Sequence, residues 1–151
     1  MPTNYLRNRP KPAARPAAPS PAGRRVLIRA GRVGIEAELL DTPTAARVLA
    51  ALPLHSTAET WGACVHFATP VETGRERGAR INALPGEIYF WSEEDRVVIA
   101  FGETPISRTG EIRLPCACNL WARAIADVGA LKAVRPGEKV SMTLLEGARG
   151  T

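Results

Sequence analysis

The strongest constraint in this 151-residue chain lies between Gly86 and Ser107, where two short apolar runs flank an acidic tip. Ile88 to Ser92 and Arg96 to Phe101 are rich in aromatic and β-branched residues, which suit a pleated, half-buried surface. Glu93-Glu94-Asp95 between them reads as a hairpin turn. Gly102 and Pro105 end the second run, since neither residue extends a central ladder. Alternation along the first run places Glu87, Tyr89 and Trp91 on one face of the strand, and Ile88 and Phe90 on the other.

The rest of the chain reads around that hairpin. Val26 to Arg29 and Gly34 to Leu40 form two strands joined at Gly31-Arg32, the second alternating Ile35, Ala37 and Leu39 with Glu36 and Glu38. Asp41 or Thr42 caps a helix with Pro43 in its first turn. Ala45, Val48, Leu49 and Leu52 give that helix one apolar stripe, and Pro53 ends it. His55 to Gly62 and Ala63 to Thr69 read as an extended pair, and residues 70 to 85 as a surface loop. Glu111 to Leu114 is a strand broken by Pro115. Cys116 to Ile125 alternates like a strand, setting Leu120, Ala122 and Ala124 against Trp121, Arg123 and Ile125, with a helix as the alternative. Asp127 to Val134 supplies a second short helix, and Val140 to Leu144 a last strand. About eight short strands and one clear helix without a sequence repeat predict a mainly β protein, a closed antiparallel barrel.

Charge is unevenly placed. Residues 1–25 hold Arg7, Arg9, Lys11, Arg15, Arg24 and Arg25 and no acid, a charge of +6 in a chain of +5. The body therefore sits near neutrality and lacks the basic footprint of a nucleic-acid-binding domain. The first 24 residues carry six prolines and five alanines with almost nothing to bury, which predicts a disordered tail over 1–24. A tether to an anionic surface and a cleaved targeting peptide are the other readings of that tail. The folded domain is expected over 25–146, with a flexible end at 147–151. No apolar run is long enough for a secretory signal or a membrane span, so a cytoplasmic protein with reduced thiols is expected.

Thr60-Trp61-Gly62 ahead of Val65-His66-Phe67, together with Gly86-Glu-Ile-Tyr-Phe-Trp91 and Phe101-Gly-Glu-Thr-Pro-Ile-Ser107, resembles the small bacterial and archaeal cyclophilin-like barrel proteins. The resemblance covers roughly residues 26–146 and implies a closed eight-stranded cyclophilin-like barrel with one or two short helices. True prolyl isomerases resemble the chain less. They carry an Arg followed by a Phe-Met-x-Gln-Gly-Gly run, where this chain reads Cys64-Val-His-Phe-Ala-Thr-Pro-Val71 and contains no Gln. That Arg stabilises the twisted amide as its resonance is lost, so a trough without it binds proline but is a poor catalyst.

Two constellations carry possible chemistry. Thr60, Trp61, Tyr89, Trp91, Phe101, Thr104, Asn119 and Trp121 supply aromatic bodies and polar tips of the kind that line a small-ligand site. Large side chains of this kind also serve simply to fill a barrel. Cys64 and His66 share one strand face, as do Cys116 and Cys118, and the four would suit zinc if their strands were neighbours. Buried free Cys is otherwise a small hydrophobe. His66 and Glu111 are the candidates for acid–base work, although no nucleophile elbow or Cys-His-Asn signature accompanies them. No cofactor motif occurs. The expected role is a non-enzymatic module for a small molecule or peptide, without a nucleic-acid or membrane partner. An atypical prolyl isomerase, another enzyme and an assembly subunit that forms a homo-oligomer are the alternatives.

Overall fold

The computed structural model describes residues 20–145. The tail expected over 1–24 lies outside them up to residue 19, as does the end expected over 147–151. Residues 20–24 form a turn in which Arg24 N–H donates to Pro21 O at 3.0 Å and Gly23 N–H to Leu39 O at 3.0 Å.

Ten strands form an antiparallel sheet: β1 (Arg25–Ala30), β2 (Val33–Leu39), β3 (Leu54–Thr57), β4 (Glu59–Thr60), β5 (Cys64–Ala68), β6 (Arg80–Asn82), β7 (Glu87–Trp91), β8 (Arg96–Ala100), β9 (Arg113–Ala124) and β10 (Lys139–Leu144). Their order is β3-β10-β1-β2-β9-β7-β8-β5-β4, with β6 added on β9. The two ends of this path, β3 and β4, are separated in the chain by Ala58 alone, so the sheet curls into a nearly closed barrel. Ala58 carries the β3–β10 ladder up to this corner: its N–H donates to Glu138 O and its carbonyl accepts from Gly137 N–H, both at 2.8 Å. The sequence reading counted about eight strands. It took the segment holding β3 and β4 as one extended run, divided β9 in two, and missed the three-residue β6, which is too short to show a period.

Helix α1 (Pro43–Ala51) packs against β9. Thr42 caps it, its hydroxyl accepting from Ala45 N–H at 3.0 Å. Ala45 and Val48 are buried, and Leu49 and Leu52 pack against the barrel core, which is the stripe that the spacing predicts. A 3-10 turn, Val128–Ala133, contributes Val128 and Leu131 to the same core. Among the described residues no helix is long and apolar enough to cross a membrane.

Two features of β9 differ from the sequence reading. Pro115 does not break the strand, because this half of β9 pairs only with β6, where the register shifts and an N–H can be spared. Between Ile88↔Ala122 and Tyr89↔Leu120 the ladder holds one extra residue, Trp121. This bulge turns Trp121 and its neighbour Ala122 both into the core, where strict alternation sets them on opposite faces.

Trp121 is fully buried, and its indole N–H has no partner. Replacing Trp121 with Phe removes an unsatisfied donor as well as packing volume, so the two effects oppose each other. We expect Trp121→Phe to cost about 1 kcal/mol or less, against about 3–5 kcal/mol for Trp121→Ala, measured by chemical denaturation.

Candidate functional site

Residues 88–90 of β7 and 97–100 of β8 are apolar on both faces, and this sets the site. Ile88, Phe90, Val97 and Ile99 point into the barrel core. Tyr89, Val98 and Ala100 instead meet Cys64, Ala83, Leu114 and Cys118 in a second cluster on the outside of the wall. The split is the one that alternation places on Glu87–Trp91. The outer cluster is covered by β6 and by the segment that returns from Phe101 to β9.

That cover is held by backbone and hydroxyl groups. Ala63 N–H donates to Glu103 O and Phe101 N–H to Ala63 O, both at 2.9 Å, which docks the β4–β5 turn onto the exit from β8. Gly62 adopts φ +60° there, and a Cβ on it would meet Pro105 Cδ at 2.8 Å and both Glu103 O and Thr104 Cα at 3.0 Å. Only glycine combines that conformation with that approach. Thr104 is buried, and its hydroxyl donates to Arg113 O at 2.6 Å. Ser107 Oγ accepts from Thr104 N–H at 3.0 Å and from Arg113 N–H at 2.9 Å.

Where the cover stops, a cleft of about 310 Å³ remains, lined by Trp61, Cys64, His66, Trp91, Val98 and Pro115. Val98 forms its floor, paired with His66 of β5 on one side and Tyr89 of β7 on the other. Trp61 reaches it from the tight β4–β5 turn, where its N–H donates to Cys64 O at 2.9 Å. Trp91 closes the end of β7. Two tryptophans 30 positions apart are thus brought to one site.

The other sequence-designated residues stand elsewhere. Thr60 is exposed on β4, and Tyr89 lies under the cover rather than on the cleft lining. Phe101 and Trp121 pack with the barrel core. Asn119 belongs to a buried knot at the start of α1. Its amide donates to Thr44 Oγ1 at 3.0 Å and Gly74 O at 2.9 Å, and its carbonyl accepts from Glu76 N–H at 2.8 Å. Glu76 completes the knot by accepting from Thr44 N–H at 2.9 Å. Cys64, singled out in the sequence as a possible zinc ligand, lies on the lining with His66, and Val98 and Pro115 join it without a signal in the sequence, because apolar side chains do not announce which cavity they face.

Cys64 and His66 share the outer face of β5. Among the described residues, no three His, Cys, Asp or Glu side chains are grouped so as to hold a metal ion. Burial pushes the Cys64 thiol up to about 12, opposed in part by a backbone hydrogen bond from Ile99. Burial also raises Cys118, reinforced by Cys116, and raises Cys116, reinforced by Glu93. Zinc needs thiolates, and these surroundings favour thiols.

His66 is the one ionisable imidazole on the cleft. Arg96 Nη1 lies 3.3 Å from its Nδ1 and 3.1 Å from a Glu59 carboxylate oxygen. A guanidinium only donates, so Nδ1 accepts and the ring proton sits on Nε2. Burial, and then the Arg96 charge, lower the His66 pKa below its ordinary 6.5, with Glu59 pulling the other way. Glu111 lies apart on an open depression of about 410 Å³ with Glu103, Leu84 and Ile112. It accepts from Arg108 N–H at 3.0 Å and Arg113 Nε at 2.9 Å, and these bonds hold its carboxyl below the usual range.

A family model described as cyclophilin-like matches residues 24–143. The chain belongs to the cyclophilin-like family. The solution structure of a hypothetical protein from Archaeoglobus fulgidus is similar, with a TM-score of 0.73 and 30% identity, covering 85% of this chain and 100% of that one. No curated protein matches. In this cyclophilin-like chain the two halves of the motif, Thr60-Trp61-Gly62 and Phe101 to Ser107, prove to be packed against each other at Gly62.

Gly62→Ala adds both a strained φ and a clash with backbone. We expect it to lower unfolding stability by about 2–4 kcal/mol in denaturant titrations. For His66, an NMR titration should give a pKa below 6.5, and Arg96→Gln should raise it by removing the neighbouring charge. The folded state then binds fewer protons than the unfolded one below that point. Stability is therefore fullest above pH 6.5 and falls as the pH drops through it toward the folded value.

Proposed function

We propose that this cyclophilin-like barrel is a non-enzymatic binding module that takes a small molecule or a short peptide segment in the Trp61–Trp91 cleft. The observation that carries this reading is the convergence of two tryptophans, a proline and a valine on one open, almost wholly apolar cavity beside a single imidazole. Cavities of this kind bind by shape and a few placed polar groups. The same lining argues against catalysis at the cleft. His66 has its basic Nδ1 occupied by Arg96, and Cys64 is held as the thiol, its S–H directed at Val65 O at 3.9 Å. A general base needs a free lone pair within reach of the substrate, and a nucleophilic cysteine needs a thiolate.

An assembly role has one observation in its favour. Ile81, Leu84 and Ile106 are exposed on the segments that cover the outer wall. An oligomer that survives dilution would give that reading the advantage.

Native mass spectrometry of the protein from its own host, followed by denaturation, tests the binding role. We expect a small molecule released from the wild type and absent from a Trp61→Ala/Trp91→Ala variant. Each substitution should cost less stability than the about 3–5 kcal/mol of a core Phe90→Ala. A ligand retained by the variant, or variants that lose folding and not binding, would assign the tryptophans to packing.

A further inference from the structure

We propose that the cleft is selective for a small neutral aromatic molecule bearing a hydrogen-bond acceptor, a carbonyl or a ring nitrogen, and that His66 is the residue that reads the acceptor. This rests on the binding-module reading and narrows it to a ligand class.

Size comes first. A cleft of about 310 Å³ corresponds to about ten water molecules of liquid volume, enough for one or two rings with a substituent. Its walls are two indoles and a proline ring, surfaces on which a flat ring packs by offset or edge contacts.

The polar inventory then decides what the ring carries. The lining side chains hold mainly donors, and the one sulfur acceptor, Cys64, is already engaged by the Ile99 backbone. Trp61 and Trp91 offer indole N–H groups, and indole nitrogen cannot accept. The Cys64 S–H is directed at Val65 O. Arg96 occupies Nδ1 of His66 and fixes the proton on Nε2, across the ring. A ligand N–H or O–H would therefore find no strong side-chain acceptor in the lining, whereas a ligand acceptor can take up the Nε2–H of His66.

Charge is excluded by the same lining. No carboxylate, lysine or arginine is among the lining residues, and the Arg96 charge behind His66 is engaged by Glu59. A carboxylate ligand loses its water for no counter-charge, and an ammonium additionally faces the Arg96 side. A neutral acceptor suffers neither penalty.

The test uses the full chain and four benzene-derived fragments: toluene, acetophenone, benzoate and benzylammonium. Acetophenone carries a carbonyl acceptor and no N–H or O–H. Binding is read by tryptophan fluorescence and by ligand-observed saturation-transfer NMR. Acetophenone should bind about three- to tenfold more tightly than toluene, the worth of one net hydrogen bond. Benzoate and benzylammonium should be weaker than acetophenone by about tenfold or more. His66→Phe should abolish the ratio between acetophenone and toluene. His66→Gln, whose amide N–H stands in for Nε2–H, should keep the acetophenone advantage. Melting curves verify that the variants fold, and the wild-type ranking stands without them. Equal binding of toluene and acetophenone, preference for either ion, or an acetophenone advantage that survives His66→Phe would overturn the inference while leaving the binding role intact. If no fragment binds at millimolar concentration, or if binding persists in the Trp61→Ala/Trp91→Ala variant, the binding role itself falls, and this inference with it.

Discussion

The molecule depends on the burial of both faces of the β7–β8 hairpin. Every residue from Glu87 to Phe90 and from Val97 to Ala100 is buried. A strand in a small antiparallel barrel ordinarily hides one face and wets the other. Here the inner face builds the barrel core, and the outer one obliges the chain beyond Phe101 to fold back over the wall. A returning loop brings backbone N–H and C=O groups over apolar side chains, so each needs a partner on the protein. Thr104, Ser107 and the Ala63–Glu103 contact supply them. The cleft is a consequence of that return: it lies where the cover ends and the β4–β5 turn begins.

Covering the wall also encloses a carboxylate. Glu87 is buried on the outer face, where the Tyr89 hydroxyl donates to one oxygen and Arg80 and Arg123 each stand 3.6 Å from the other. Both arginines are about half exposed, and solvent screens such pairs to about 1 kcal/mol or less. Their value lies in keeping a buried charge from being unpaired, which is the costly condition. Burial, then the bond to Glu87, raises the Tyr89 pKa, so the phenol stays a donor and the arrangement persists over the physiological range. The cover is therefore anchored at one end by a charged cluster and at the other by the turn packing at Gly62.

Much of this frame was legible in the sequence wherever the signal is local. The β7–β8 hairpin, the alternation in β2, the Thr42 cap and the stripe of α1 each depend on residues a few positions apart, and all appear as read. Three features did not show: β6 inside an apparent loop, the passage of β9 through Pro115, and the bulge at Trp121. Each is fixed by what a distant strand presents. An edge position tolerates the proline, and one surplus residue in the ladder re-aims the indole, so neither follows from the segment's own pattern. The site divides in the same way. Trp61 and Trp91 stand out as large amphipathic side chains beside strand ends, and both reach the cleft. Asn119 and Thr104 carry the same polar signal but spend their hydrogen bonds on backbone and helix-start groups. Composition cannot separate a polar residue that satisfies a loop from one that awaits a ligand.

The protonation states around the cleft extend that distinction to chemistry. Burial pushes the Cys64 thiol up to about 12, which favours the thiol over the nucleophilic thiolate. Glu111 is low in pKa for the opposite reason, because the Arg108 backbone N–H and the Arg113 side chain bind its charged form, and both bonds tie down the loop that carries it. Burial, and then the Arg96 charge, lower the His66 pKa, and its Nδ1 lone pair is turned to Arg96. In each case the group with catalytic potential is engaged by the fold that holds the cover in place. The cavity lining is largely apolar, and in the binding role proposed above such a lining would discriminate among ligands by shape and acceptor placement.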